Sequence, residues 1–388
     1  MKHLPIGGSS AARTLACPGW INACSTLKPR PPSPAAIAGS MHHEVQENCQ
    51  KEEKEPQDYV GLVYEEGAAT KTFTKGDLDL SYIAFNATNE LLDELDIEEM
   101  EVEAFVQIVE DEAGGTGDLV GLSADHETLL VLDYKFGQGV VDAKKNAQMM
   151  FIAVAVRTDP STKDMFDKVK TIEMAIIQPK RKGVVFRDSC TLEELDAFTG
   201  KLMKAIDLVG SKAPPLNPGP ECKWCPAAAY CKVRKADIVG AKTLGTKEKS
   251  ELQAAADIVE EVEDWVNAVK SELFTQMQRG IAFGGWKLVD KRATNKWIDA
   301  EAAKAALIKH AFDPELFEIT MMMTAPQVLA TFKSAKVEKV KGTGKNKFDL
   351  DALIEKKSSG VTLAPDHDDR EVVTPDAPDN LKKLVGKS

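Results

Sequence analysis

Nowhere does this sequence hold an apolar run approaching the length of a membrane span, so no membrane partner is expected of it. It also lacks an excess of positive charge. Forty-nine Lys and Arg face 61 Asp and Glu, a formal net charge of −12, which argues against indiscriminate binding to nucleic acid. A nucleic acid meets the local patch and not the total, however. Lys144-Lys145 and Lys180-Arg181-Lys182 are two basic patches that read equally well as solvated surface. A disulfide framework is missing too, since seven cysteines in 388 residues form no regular pairing pattern. The first 43 residues contain no Asp or Glu and are rich in Ala, Ser and Pro, as transit peptides are, but they have neither Arg density nor an apolar core. No internal repeat is visible.

What is present is ordinary in bulk and particular in detail. Hydrophobic residues make up 43% and charged residues 28%, as in soluble globular proteins, with room for about two or three domains. Lys28-Pro29-Arg30-Pro31-Pro32-Ser33-Pro34 reads as a stiff linker, followed by a helix over 35–48 and another over 78–95. Val102, Ala104, Val106 and Ile108 alternate with polar positions and predict a strand. Gly114-Gly115-Thr116-Gly117 predicts a turn, 118–122 and 128–135 two further strands, 143–157 a helix, 171–178 a strand and 192–209 a helix. That order implies an α/β core with a mixed sheet. Beyond Lys242, apolar residues from Leu252 and Ala255 to Met277 recur at helical spacing over about seven turns. A strand at 286–289 with a short return to Trp297 and helices at 299–310 and 325–334 follow. From Glu338 onward a polar tail is expected to be largely disordered, apart from a short helix at 349–356. The expected organisation is a core over 1–240, a mainly helical module over 241–337 and the tail over 338–388.

Three residues carry the sharpest chemical suggestion. Phosphodiester cleavage uses a divalent ion held by hard oxygen ligands, with a lysine to serve the attacking water and offset phosphate charge. Asp133 and Lys135 stand at i and i+2 on one strand and share a face. Asp118, on the preceding strand, is placed to reach the same point. An acid-x-lysine triplet alone is common by chance, and Asp142-Ala143-Lys144 is a decoy at an expected turn. His43, with His42 as its rival, is a further metal-ligand candidate, and Gln148 on the next helix can bridge to a phosphate or a bound water.

The cysteines form a split set. Cys222, Cys225 and Cys231 lie close together in Pro220-Glu221-Cys222-Lys223-Trp224-Cys225-Pro226-Ala227-Ala228-Ala229-Tyr230-Cys231, while Cys17 stands two hundred residues away in a tight Cys-Pro turn. C-x2-C-x5-C in a cytosolic-looking chain reads as a metal or cluster site, and its local spacing fits zinc or an iron–sulfur cluster alike. Cys24 rivals Cys17 as the fourth ligand. Cys49 and Cys190 read as ordinary thiols.

Taken together these motifs resemble the RecB-like branch of the PD-(D/E)XK nucleases, and in particular a phage- and prophage-encoded family with an iron–sulfur staple. The likeness runs through Leu15-Ala16-Cys17-Pro18, Gly39-Ser40-Met41-His42-His43-Glu44, Gly115-Thr116-Gly117-Asp118, Asp133-Tyr134-Lys135-Phe136-Gly137-Gln138-Gly139, Asn146-Ala147-Gln148 and the triple cysteine. It continues through Gly285-Trp286-Lys287-Leu288-Val289, Asn295-Lys296-Trp297 and Thr362-Leu363-Ala364-Pro365. The resemblance implies a restriction-endonuclease-like core, metal ligands His43, Asp118 and Asp133 for Mg2+ or Mn2+, catalytic Lys135 assisted by Gln148, and a [4Fe–4S] cluster on Cys17, Cys222, Cys225 and Cys231. The branch carries Gln-x-x-x-Tyr on the helix after the lysine, whereas Ile152 stands four positions after Gln148 here.

The implied function is a metal-dependent DNA nuclease, an exonuclease by expectation, in phage replication or recombination. DNA and phage replication or recombination proteins would be its partners, in the host bacterial cytoplasm. Two alternatives stand beside it: a non-catalytic DNA-binding recombination accessory protein with the same fold and cluster, and a zinc-bearing interaction module whose acids are incidental.

Overall fold

The computed structural model describes residues 4–29, 32–67, 69–181, 183–234, 253, 256, 258–317, 323–342, 347–358 and 360–374. Lys182, the start of the long predicted helix at Leu252 and Ala255, and the tail beyond 374 lie outside the described residues. The chain divides into two compact units, residues 1–266 and 267–388.

The first unit opens with two short helices, α1 (Ala11–Ala16) and α2 (Trp20–Cys24). Helix α3 (Pro34–Glu52) begins where Ser33 accepts a hydrogen bond from the Ala36 amide and Pro34 supplies a preset backbone angle. A small hairpin, β1 (Val63–Glu66) with β2 (Ala69–Thr72), and helix α4 (Leu78–Glu94) follow. The sheet is then laid down as β3 (Ile97–Val109), β4 (Ala113–Ser123) and β5 (Thr128–Tyr134). Helix α5 (Ala147–Thr158) crosses over to β6 (Thr171–Ile177), β7 (Val185–Thr191) pairs back, and α6 (Leu192–Val209) closes the run. Strand order is β3-β4-β5-β6-β7, with β5 and β6 parallel and every other pair antiparallel. This is a mixed five-stranded sheet in an α/β unit.

Alternation along β5 explains the layering. Leu129 and Val131 face one apolar cluster with Met149–Val156 of α5 and Leu195 and Leu202 of α6, whereas Leu130 and Leu132 face the other with Ala84 and Leu91 of α4. Helix α5 is buried along its length, which is why Met149 to Val156 shows no polar stripe. It begins at Ala147, not Ala143, because the Asn146 side chain accepts from the amides of Gln148 and Met149.

Two expectations about this unit need correction. Gly114 to Gly117 do not form a turn; they lie within β4, and the reversal falls at 110–112 with Asp111 left-handed at φ 57°. The glycines serve close approach instead. A Cβ on Gly114 would sit 2.6 Å from the Val106 carbonyl oxygen, and one on Gly117 3.0 Å from the Ile152 side chain. Strand β3 is also not simply alternating. Val102 packs with the α4-side cluster but Ala104 and Val106 with the α5-side cluster, and between them Glu103 is left-handed at φ 57°.

The second unit includes most of helix α7 (Val259–Gln278), strands β8 (Trp286–Asp290) and β9 (Thr294–Trp297), and helices α8 (Ala300–Lys309) and α9 (Ala325–Ser334). Short strands β10 (Val340–Lys341), β11 (Phe348–Asp349), β12 (Ile354–Lys357) and β13 (Val361–Pro365) complete it. Helices dominate, around a core of Leu307, Phe312, Phe317, Val328, Phe332, Phe348 and Leu350. The tail from Glu338 is thus ordered as far as it is described. Strand β8 does not return onto β9. It pairs with β13, and β9 with β12, because Phe348, Leu350 and Ala364 bury apolar surface that a disordered tail would leave in water. The helix expected at 349–356 is a short 3-10 turn, Leu350–Leu353, leading into β12. No helix of the described residues is long and apolar enough to cross a membrane.

Candidate active site and cysteine pocket

The acids meet where β4 and β5 part. The ladder ends at Leu119 opposite Leu132, so one position further on Asp118 stands opposite Asp133. Beyond that pair the backbone bonds change hands. The Tyr134 amide donates to Asp118 Oδ2 at 2.7 Å and the Lys135 amide to the Ile177 carbonyl on β6. Asp118, Asp133, Lys135, Gln148 and His43 all line one cavity of about 950 Å3.

Within it the side chains are cross-bonded. Lys135 Nζ lies 2.5 Å from Asp133 Oδ2 and donates to Gln148 Oε1 at 3.3 Å, while Gln148 Nε2 donates to Asp133 Oδ1 at 2.6 Å. His43 Nδ1 lies 3.2 Å from Asp118 Oδ2. Asp133 is only 5% exposed, and its Oδ2 has the lysine as a close ion-pair neighbour but no well-oriented hydrogen bond. Burial and the facing Asp118 push its carboxyl above the usual carboxylate range, despite the lysine. Asp118 moves the other way. Burial opposes its charge, but His43, the Tyr134 amide and Lys135 together hold its pKa low. For His43 burial opposes protonation, and Asp118 with Asp133 outweighs it, so the imidazole pKa is raised.

The two histidines separate cleanly. His42 is buried, bonded through Nδ1 to Ser81 Oγ at 2.8 Å and stacked on Phe136, and burial lowers its pKa to about 4. It belongs to the core, whereas His43 faces the cavity. The decoy triplet stays a surface turn, with the Asp142 carboxylate accepting from the Lys144 amide. Of the basic patches, Lys145 is paired with Glu194 at 2.7 Å and Lys180 donates to the Phe136 carbonyl, while Lys182 lies outside the described residues.

Sequence reasoning passed over Glu103. It lines the same cavity, lies across the ladder from Asp118 between the pairs Val102/Leu119 and Ala104/Gly117, and its carboxyl is pushed up to about 7 by burial, Asp118 and Glu47. The signal was the register of β3 on β4, which cannot be read until the position of the turn is known.

The cysteines come together in a separate cavity of the same unit. Cys17, Cys222, Cys225 and Cys231 line a cavity of about 200 Å3. Cys17 caps the end of α1, and the neighbouring Gly19 amide donates to the Pro215 carbonyl at 2.8 Å. Glycine is needed there, because a Cβ would lie 2.7 Å from the Pro214 carbonyl oxygen. The amide of Asn217 donates to Cys17 Sγ at 3.3 Å and that of Gly219 to Cys222 Sγ at 3.4 Å. Arg13 reaches the Trp224 carbonyl. Burial and then the neighbouring thiols raise the Cys17 pKa; Cys222 is raised by burial too. Cys24 is a fifth thiol here, and its hydrogen bond to Cys225, together with burial, pushes the Cys225 thiol up. Cys49 and Cys190 are buried elsewhere.

Among the described residues, no three His, Cys, Asp or Glu side chains are drawn together tightly enough to hold a single metal ion. No curated protein matches the chain. Residues 3–371 match DUF2800, described as a protein of unknown function, and the chain belongs to that family.

Proposed function

We propose that the first unit is a divalent-metal-dependent deoxyribonuclease of the PD-(D/E)XK type whose N-terminal segment is fastened by a [4Fe–4S] cluster. The observation that carries this reading is the meeting of Asp118, Asp133, Lys135, Gln148 and His43 in one cavity at the point where two strands part. Two carboxylates and an imidazole are a donor set that suits Mg2+ or Mn2+. Among the described residues, the cavity wall also carries Glu44, Glu47, Glu66 and Glu103 against Lys51 and Lys135, so a phosphate backbone needs added positive charge to enter. When bound, the ion supplies Lewis acidity toward the phosphate and a water of lowered pKa.

The chain's own residues do the rest. Lys135, held by Asp133 and Gln148, is aimed into the cavity to orient the attacking water and offset charge growing on the phosphate. Gln148 fixes both partners in register from the first turn of α5. The four thiols around the smaller cavity are a donor set for zinc or for an iron–sulfur cluster, and the distance in sequence of Cys17 from the other three favours the cluster over a zinc finger with local ligands. Four cysteine thiolates are also the ligand set of an iron–sulfur cubane.

Anaerobically purified protein incubated with labelled linear and circular DNA, with and without Mn2+ or Mg2+, tests the reading. Metal-dependent cutting that Lys135→Ala abolishes supports it; equal cutting by parent and variant overturns it. One observation favours a second reading, a DNA-binding accessory protein. Ile152, where the nuclease branch carries a tyrosine, is buried beside Gly8 and Gly117, so this position offers the substrate no hydroxyl. DNA binding without cutting under every metal condition selects that alternative.

A further inference from the structure

The second unit has a groove of its own, of about 450 Å3, between α7 and the β8/β13 ladder. Its character is opposite to that of the acidic cavity. Lys270 and Phe274, one helical turn apart on α7, line it from one side, and Trp286, which opens β8, and Lys291, just past its end, line it from the other. Among the described residues, no carboxylate lines it. Some lysines of this unit are engaged elsewhere: Lys287 binds the carbonyls of Asp368 and Arg370, and Lys339 pairs with Asp351. Lys270 and Lys291 are exposed and, among the described residues, have no ion-pair partner. The two aromatic rings are half-buried, so their positions are fixed by the fold while part of each remains open.

We infer that this groove binds single-stranded nucleic acid, with Trp286 and Phe274 offering stacking surface to a base and Lys270 and Lys291 taking the flanking phosphates. Two exposed lysines beside an aromatic floor match a ligand that alternates π-faces with negative charge. An apolar peptide would leave both ammonium groups without a use. A duplex keeps its base faces inside the stack and cannot offer them to a tryptophan. The cavity is of the size that holds a small organic ligand, the scale of one nucleotide and not of a double helix. This assignment is independent of the nuclease reading, since it draws on no residue of the first unit.

The test is binding of fluorescein-labelled oligo-dT and oligo-rU to the full chain in EDTA, read by anisotropy, with a duplex of the same length as comparison. Trp286→Ala should weaken single-strand binding about 10-fold or more, and Trp286→Phe should retain most of it. Lys270→Ala with Lys291→Ala should also weaken binding and flatten the dependence of log K on log salt by about 1.4, the loss of two phosphate contacts to a single strand. The lysine pair lies at the surface, so it tests the site even if Trp286→Ala fails to fold. The dT and rU arms identify the sugar that is preferred. The inference is overturned if the parent binds neither oligomer, if duplex binds as tightly as single strand, or if the lysine pair and Trp286→Phe leave affinity and salt slope unchanged while Trp286→Ala is folded and equally tight.

Discussion

The acidic cavity and the cysteine pocket belong to the same unit but are held in opposite ways. In the cavity, Asp133, Lys135 and Gln148 bond to one another and His43 to Asp118, and their places follow from strand register and from one capped helix. In the pocket, thiols from the end of α1 and from an irregular stretch around residues 217–231 face each other with a handful of backbone bonds as support. Burial, and after it the neighbouring thiols, raises the cost of ionising Cys17 and Cys222. The cavity is bonded side chain to side chain, whereas the pocket brings like groups together, which the proposed cluster would hold as ligands. The two should therefore fail differently, one through chemistry and the other through folding.

The largest effect is expected at the pocket. Cys225→Ser should remove iron and sulfide and destabilise the first unit by more than about 4 kcal/mol, as losses of structural metal do. Cys24→Ser, in contact with the same thiol, should leave iron content intact. Denaturant melts with iron assays decide this, and a Cys225→Ser protein that melts like its parent would erase the contrast. At the cavity, Lys135→Ala should leave the melt and the iron unchanged but slow DNA cutting 10²–10³-fold, about 2.7–4 kcal/mol of transition-state stabilisation. Single-turnover rates at saturating Mn2+ measure it; a rate within twofold of the parent would remove Lys135 from the chemistry. Gln148→Ala should cost about 10-fold, or about 1.4 kcal/mol, because it positions the lysine without touching the phosphate. Its rate should fall between parent and Lys135→Ala, and a greater loss than that of the lysine variant would reverse their roles.

The smallest effect concerns Glu103. Its carboxyl rises from 4.5 to about 7 in the folded chain, so between those values the folded state holds a proton that the unfolded state has released. Stability then falls as pH rises through that window and stays reduced above it. Glu103→Gln should accordingly stabilise metal-free protein by about 1 kcal/mol at pH 8, a figure discounted for partial exposure, and by little at pH 5. Thermal melts in EDTA at both pH values check the sign. A gain that is larger at pH 5 would show that burial, not charge, governs this position.

Much of the first unit was legible because its signals are local. The Leu129–Leu132 run sets β5, and helix α6 spans Leu192–Val209 as read, since Thr191 and Glu194 make a reciprocal cap. Asp118, Asp133 and Lys135 could be placed together because two strands and one register suffice. What escaped was whatever depended on distant packing. The glycines at 114–117 suggest a turn until Ile152 and the Val106 carbonyl are seen to need their missing side chains. Glu103 could not be placed because one left-handed residue exchanges the faces of β3. The pairing of β8 with β13 joins segments some seventy residues apart, and no pattern within either specifies the partner.

The union of the first residues with the loop near 215 also orders events in time. Ile6 adds to the sheet beside Ala113, and Cys17 is met by the amide of Asn217, 200 residues later. Closing so long a loop adds little at equilibrium, about 0.6 kcal/mol for each doubling of length, but contacts of such separation form slowly. The segment around Cys17 has nothing to fasten to until the 214–217 loop exists, so its contacts are expected to form later than those within the sheet.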